Sequence, residues 1–320
     1  PLPLIFSYKS EKSLCGAAHY VDRSHVRRVP FPYYLSEETT NNMHRRAYPG
    51  EDSEIRRLAL IEVTATAGIL PLDLLELGAP GIPHGEGCGF NTFSWRPLPA
   101  ASAELLVDVT SDTGQARALY LLDAAAASEA ARAAPPATVP AAVLFHDWGE
   151  WRTYPSVSAG WLQDGSGAWL IVDAEETHQL AVIYPESAAL EQARAGEPLL
   201  QLLTDDSADV IGERGASVVT PSKGPGGTHS LFFTRNDPLP ESRPVYSVTL
   251  PSPGSTTMPE LRALTPGIDG CHSPSSSPDG LWLASVHSDD VTPSSLSVFD
   301  VSGTSVPQRR VVGNFLPNLR

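Results

Sequence analysis

Apolar residues fall along this chain in short runs, each closed by Gly, Pro, Asp or Ser, and long amphipathic stripes are hard to find. The runs stand at Leu58 to Val63, Ala103 to Val109, Ala118 to Leu122, Ala168 to Val172, Leu180 to Tyr184, Leu231 to Thr234, Val245 to Leu250, Leu281 to Val286 and Leu296 to Val301. Runs of about four to eight residues with turn residues at both ends predict β-strands. Many short strands in one chain predict an all-β sandwich, barrel or propeller.

The order of runs and turns decides among these. Gly160 to Tyr184, GWLQDGSGAWLIVDAEETHQLAVIY, reads as a strand start, a tight Asp-Gly turn, a strand, a polar loop and another strand. Ser275 to Val301, SSSPDGLWLASVHSDDVTPSSLSVFDV, repeats that grammar. Weaker copies run from Phe93 to Asp123 and from Ser217 to Leu250, with a degenerate fifth at Tyr8 to Val26. Asp-Gly supplies the positive φ angles of a two-residue hairpin. A strand–turn–strand–loop–strand unit repeating every ~40–50 residues predicts a β-propeller of about six or seven four-stranded blades. The competing reading is a β-sandwich whose hairpins resemble one another by chance. Two stretches leave the grammar. Ala124 to Ala142 opens as a helix former and meets Pro135, Pro136 and Pro140, so an insertion, partly helical, is expected at the rim. Residues 186–212 contain ESAALEQARAGEPLL, which predicts one or two helical turns before the next strand. Neither resembles a domain linker, and a single domain over 1–320 is expected.

Composition narrows the functional classes. A formal charge of −15 opposes binding to a polyanion, so no nucleic-acid partner is expected. No run of about 18 apolar residues is present, so no membrane span is expected. The start, PLPLIFSYKSEK, lacks a leader pattern and reads as the interior of something longer. Cys15, Cys88 and Cys271 stand far apart without a CxxC pair, and no Asn-x-Ser/Thr sequon occurs. Both observations point toward a reducing, cytoplasmic compartment.

Candidate chemistry is sparse. A hydrolase nucleophile needs G-x-S-x-G on a strand-to-helix elbow, and neither Ser166 in DGSGA nor Ser217 in GASVV has the second glycine in place. Pro221 to Ser230, PSKGPGGTHS, is glycine-rich but lacks the Gly-Lys-Ser/Thr ending of a phosphate cradle. His84, Glu86 and Cys88 in GIPHGEGCGF mimic half of a zinc deaminase motif, and the Pro-Cys-x-x-Cys half is missing. No metal or other cofactor is therefore expected, and the stretch reads as a Gly-rich crossing loop. The densest polar–aromatic cluster is HDWGEWR, with His146, Asp147, Trp148, Glu150, Trp151 and Arg152. Aromatic faces and an Arg fork can hold a peptide, and the plainer reading is a blade-edge loop with its tryptophans packed between sheets. Glu37-Glu38, Asp205-Asp206 and Asp289-Asp290 read as solvated pairs, the aspartates also as turn caps.

Several segments resemble the propeller of the dipeptidyl peptidase IV family, within the prolyl oligopeptidase-type serine peptidases. Cys271-His272-Ser273 followed by Ser275 to Val301 is similar to that family's late blade with its Ser-Pro-Asp-Gly turn. Arg45 to Val63, RRAYPGEDSEIRRLALIEV, resembles its Y-R-Y-P stretch, and Asp22 to Pro32 the segment before it. Gly160 to Tyr184 resembles its L-x-D-G-S blade, and the anchors occur in family order. The departures are a tip reduced to Gly50-Glu51-Asp52-Ser53-Glu54, Ser276 in place of a Phe, and Glu176 to Leu180 in place of a G-W-x-H-L-Y ending.

The resemblance implies an incomplete eight-bladed propeller that gates and positions peptide substrates for an α/β-hydrolase domain joined in cis, with a homodimer contact as a further role. The family's paired glutamates for the substrate amino terminus would fall before Pro1, and the hydrolase domain after about Arg320. Catalytic residues are therefore not expected within this chain. Trp151 and Arg152 stand near a propeller loop that in the family reaches the substrate from the side, which makes them the candidate substrate-binding residues. The alternative is a non-catalytic TolB- or WD40-like propeller serving as a protein- or peptide-binding platform. A glycosidase-type propeller would need two carboxylates ~5–9 Å apart.

Overall fold

The computed structural model describes the backbone of residues 5–9, 14–22, 28–33, 40–45, 55–63, 68–73 and 88–97. From 103 to 314 it describes all but 112–114, 134–136, 139–140, 150–158, 175–176, 186–199, 211–218, 224–226, 268–269, 304–306 and a few single positions. Before residue 89, side chains are described only at Leu58, Ala59 and Leu60. The chain divides into two compact units, residues 1–95 with 101–154, and residues 96–100 with 155–320.

The first unit holds two large sheets. One has the order β1 (Ile5–Lys9), β2 (Leu14–Asp22), β5 (Ile55–Val63), β6 (Gly68–Asp73), with the short β10 (Ala137–Thr138) parallel to β6. A separate hairpin, β3 (Arg28–Tyr33) and β4 (Thr40–Arg45), lies between β2 and β5 in sequence. The second sheet is an antiparallel meander of β7 (Cys88–Trp95), β8 (Glu104–Ser111), β9 (Ala116–Asp123) and β11 (Ala141–Trp148). Between β9 and β10 runs α1 (Ala124–Ala133). Asp123 caps it, its Oδ1 accepting the backbone N–H groups of Ala125 at 2.8 Å and Ala126 at 3.1 Å. Ala124, Ala127 and Ala131 form its buried stripe against Leu58, Leu60, Val107 and Tyr120. The inserted segment is thus helical in its first half and returns as a strand. Among the described residues no helix is long and apolar enough to cross a membrane.

The second unit is three antiparallel meanders in series. They are β12 (Ala159–Trp161), β13 (Ala168–Ala174), β14 (Thr177–Ile183) and β15 (Leu200–Leu202); then β16 (Thr220–Lys223), β17 (His229–Thr234), β18 (Val245–Thr249) and β19 (Leu261–Ala263); then β20 (Cys271–Ser276), β21 (Trp282–Ser288), β22 (Ser295–Asp300) and β23 (Gln308–Asn314). Serial four-stranded meanders are the unit of a β-propeller, and the nearly all-β architecture agrees with that class. All nine apolar runs lie on strands, and the four clearest sequence copies coincide with the four four-stranded sheets. The described residues form five large sheets and one hairpin, where the period predicted six or seven units. First strands begin at Cys88, Ala159, Thr220 and Cys271, spacings of 71, 61 and 51 residues, because long connections stretch the repeat. The expected helical turns within 186–199 lie outside the described residues.

Burial explains the strand compositions. β13 and β14 are covered on both faces, which AWLIV and QLAVI satisfy with unbroken apolar runs. β21 and β22 alternate buried and open positions, as WLASVHS and SLSVFD do. The Asp-Gly corners differ from the expected two-residue hairpin. Leu162 N–H donates to Gly167 O and Gly165 N–H to Leu162 O, and Ser277, Gly280 and Trp282 repeat this pattern. Four residues therefore make each corner, with the glycine at φ 70° in one and 68° in the other. Close approach also demands glycine there, since a Cβ at residue 280 would lie 2.7 Å from Ser222 Oγ.

The polar exception in the first unit is an ion pair in the middle of its second sheet. Arg117 on β9 donates Nε–H to Asp108 Oδ1 at 2.9 Å and Nη2–H to Oδ2 at 2.7 Å, and both side chains are fully buried. The forked geometry satisfies both carboxylate oxygens. Removing one partner strands the other as a buried charge, so Arg117→Met is expected to lower stability by about 3–5 kcal/mol. Asp108→Leu combined with Arg117→Met should regain most of that loss. Urea denaturation of the three proteins checks this, and a double variant as unstable as the single one contradicts it.

Candidate functional site

The described residues gather their polar side chains along the seams between the sheets of the second unit. At the first seam, the corner aspartate of one sheet meets a lysine and a histidine of the next. Lys223 and His229 are cross-strand partners on β16 and β17, so both reach the same side of the ladder. Asp164 Oδ2 accepts from Lys223 Nζ at 3.1 Å and lies 2.7 Å from His229 Nε2. Its Oδ1 accepts Ser166 Oγ–H at 2.7 Å and Ser166 N–H at 3.0 Å. Partial burial acts to raise the Asp164 pKa, but the Ser166 hydrogen bonds, then Lys223 and the charge of His229, outweigh it and hold the carboxyl well below the usual carboxylate range. Burial, and secondarily the Asp164 charge, pushes the nearby Tyr184 hydroxyl up.

The opposite end of the same two sheets is tied by Arg235. Its side chain is buried, and Nη2–H donates to Ser207 Oγ at 2.7 Å and Asp205 Oδ1 at 3.2 Å. Its guanidinium lies 5.6 Å from the centre of the Tyr246 ring. Tyr246 donates its hydroxyl to Asp237 at 2.9 Å, and burial followed by Asp237 pushes its pKa up to about 12. Asp205 is held below the usual range first by Ser207. Asp209 accepts from the backbone N–H of His178 at 2.8 Å, with the His178 ring 3.2 Å away.

In the last sheet His272 and His287 face each other across β20 and β21 with ring centres 4.6 Å apart, both buried. Ser285 Oγ is 3.2 Å from His272 Nδ1, and Arg309 donates to Ser297 Oγ at 2.9 Å. Among the described residues no group of three or more His, Cys, Asp or Glu is placed to hold a metal ion.

Chemically, these are clamps. Asp164 and His229 have the separation of an acid–base pair, but the hydroxyl beside them, on Ser166, donates to the carboxylate and not to the imidazole. A nucleophile relay requires the hydroxyl on the far ring nitrogen.

The residues singled out from sequence are placed as follows. Trp151, Arg152 and Glu150 lie outside the described residues, as do His84, Glu86 and Glu37-Glu38. His146, Asp147 and Trp148 belong to the edge strand β11, with Asp147 opposite Arg117, where a loop was expected. Asp205 and Asp289 cap turns through Ser207 N–H and Val291 N–H. Cys88 opens β7, and Cys271 is exposed at the start of β20. The glycine-rich PSKGPGGTHS carries Lys223 and His229, the two partners of Asp164 in its clamp. The clamps themselves escape the sequence because Asp164 and His229 are 65 residues apart.

No family model matches the chain, and no curated protein does. Solved structures do match. Porphyromonas gingivalis dipeptidyl peptidase 4 aligns over 96% of this chain with a TM-score of 0.63 at 14% identity. A Bacteroides ovatus protein described as a dipeptidyl aminopeptidase IV aligns over 94% with a TM-score of 0.61 at 13% identity. The chain shares their fold. It spans 36% and 38% of their respective lengths.

The clamp has a pH signature. A carboxyl whose pKa is depressed by folding contributes stability above its unfolded value of about 3.9, and that contribution is lost as pH falls toward the folded value. Wild-type stability should therefore decline below about pH 4 partly through Asp164, and Asp164→Asn should lower stability at neutral pH while flattening that acid limb. Chemical denaturation across pH 2.5 to 7 (~five points) measures both; parallel curves for the two proteins contradict the assignment.

Proposed function

We propose that this chain is the propeller portion of a dipeptidyl-peptidase-like serine exopeptidase, gating peptide substrates and positioning them for an α/β-hydrolase domain in cis. The observation that carries the reading is the fold likeness to two dipeptidyl peptidase IV structures over nearly the whole chain, which spans little more than a third of each. The ordered sequence anchors at Arg45 to Val63, Gly160 to Tyr184 and Cys271 to Val301 support it independently. The sequence offers no G-x-S-x-G elbow, which assigns the bond-breaking step to residues elsewhere.

In this reading the serial meanders form one propeller over 1–320, and the HDWGEWR segment reaches the peptide, with Trp151 offering an aromatic face and Arg152 a fork for a carbonyl or carboxylate. The inter-sheet clamps at Asp164 and Arg235 keep such a wall rigid, so that gating depends on fixed channel dimensions.

Two measurements test this together. The purified chain is expected to leave an X-Pro chromogenic dipeptide uncleaved while binding short X-Pro peptides with a free amino terminus, and Trp151→Ala with Arg152→Ala is expected to weaken that binding by about tenfold, as loss of roughly 1.4 kcal/mol implies. Turnover that tracks the chain through every purification step, or peptide binding indifferent to the double variant, contradicts the proposal.

A further inference from the structure

The clamp at the first seam is closed by a residue that the chain otherwise avoids. Of its 22 Lys and Arg residues 19 are arginine, and Lys223 is the one lysine after Lys12. Arginine is the better partner for a carboxylate, since its planar fork makes two parallel bonds where an ammonium makes one. The same sheet uses arginine at its opposite end, where Arg235 holds Asp205 and Ser207. At Asp164 it uses an ammonium, 3.1 Å from Oδ2. What an amine offers and a guanidinium does not is acylation, which places an acyl group on the side-chain nitrogen and removes its charge.

The surroundings of Lys223 leave it open to a reagent. Its side chain is 42% exposed, whereas that of Arg235 is 3% exposed. Lys223 ends β16 and is followed by Gly224-Pro225-Gly226-Gly227. Gly227 has φ 81°, and beyond its chain neighbours a Cβ placed there would meet nothing within 4 Å except Lys223 Cε at 3.9 Å. The lysine stem thus runs past a position that carries no side chain. Neutralising its nitrogen would leave Asp164 with Ser166 and His229 and take away the ammonium that ties it to β16.

We propose that Lys223 is an acylation site, and that its modification loosens the seam between β12–β15 and β16–β19. The donor is an activated acyl compound, an acyl thioester or an acyl phosphate. The ammonium first gives a proton to solvent. Nζ then attacks the acyl carbonyl, forming a C–N bond as the carbon–sulfur or carbon–oxygen bond breaks, and a second Nζ proton leaves with the thiol or phosphate. The product amide is neutral and has lost two of the three N–H donors that faced the carboxylate side of the seam. The inference stands apart from the peptidase reading, and its test involves no peptide.

The whole native chain is incubated with acetyl phosphate, and modified lysines are read by peptide mass spectrometry beside thermal melting and amide exchange. Acetylation is expected at Lys223, with a melting temperature lower by a few degrees in proportion to its occupancy and faster exchange at the corner 162–167. Lys223→Gln is expected to reproduce both effects without the reagent. Lys223→Arg is expected to keep the native melting temperature and to make it insensitive to acetyl phosphate. In Asp164→Asn, Lys223 should still be acetylated, but with no further fall in melting temperature, because the partner of the charge is gone. A Lys223 that stays unmodified under conditions that acetylate the same chain when denatured overturns the proposal. So does full acetylation with melting and exchange unchanged, a Lys223→Arg chain as labile as Lys223→Gln, or a fall that persists in Asp164→Asn.

Discussion

A β-sheet has two faces, and a strand in its middle must dispose of both. In the second unit the answer is stacking, the sheet of β16–β19 packing an apolar face on each of its two neighbours. Burial of that kind contributes about 25 cal/mol per Å² of apolar area. The unbroken AWLIV and QLAVI runs are tolerable because both faces of these strands are buried, one of them against Leu231, Phe233 and Val248 of the next sheet. At β21 and β22, the strands of the last described sheet, buried and open positions alternate instead.

Stacked apolar faces are not by themselves selective in register, since they can slide. Polar clamps at the sheet ends supply the missing definition: Asp164 with Lys223 and His229 at one end, Arg235 with Asp205 and Ser207 at the other. Each becomes an unpaired or poorly solvated group if the sheets shift, which makes wrong registers costly. The Arg117–Asp108 pair acts within a single sheet, fixing the β8–β9 ladder where both side chains lack water. A rigid, exactingly registered wall is what a gating module requires, and this links the energetics to the proposed role.

Much of this was visible in the sequence because strands announce themselves locally. The nine apolar runs, the helix start after Asp123 and the two Asp-Gly corners need only neighbours within a few residues. The turn length escaped, since Asp-Gly serves both a two-residue hairpin and the four-residue corner seen at Leu162 to Gly167. The even repeat length escaped because long connections space the first strands 71, 61 and 51 residues apart. The clamps were illegible for another reason: PSKGPGGTHS carries no mark that its Lys223 and His229 will meet a carboxylate on another sheet, and Asp108 and Arg117 resemble surface charges until their strands pair. Trp151 and Arg152 belong to the functional reading alone, as they lie outside the described residues.

The stacking account is tested most directly by amide hydrogen exchange of the whole chain, resolved strand by strand. It predicts the slowest exchange in β13, β14 and β17, which carry the seam between covered sheets, and faster exchange in β22 and β23, where one face is open. Equal protection of β22 and β13 contradicts it, because the last sheet is then covered like the others.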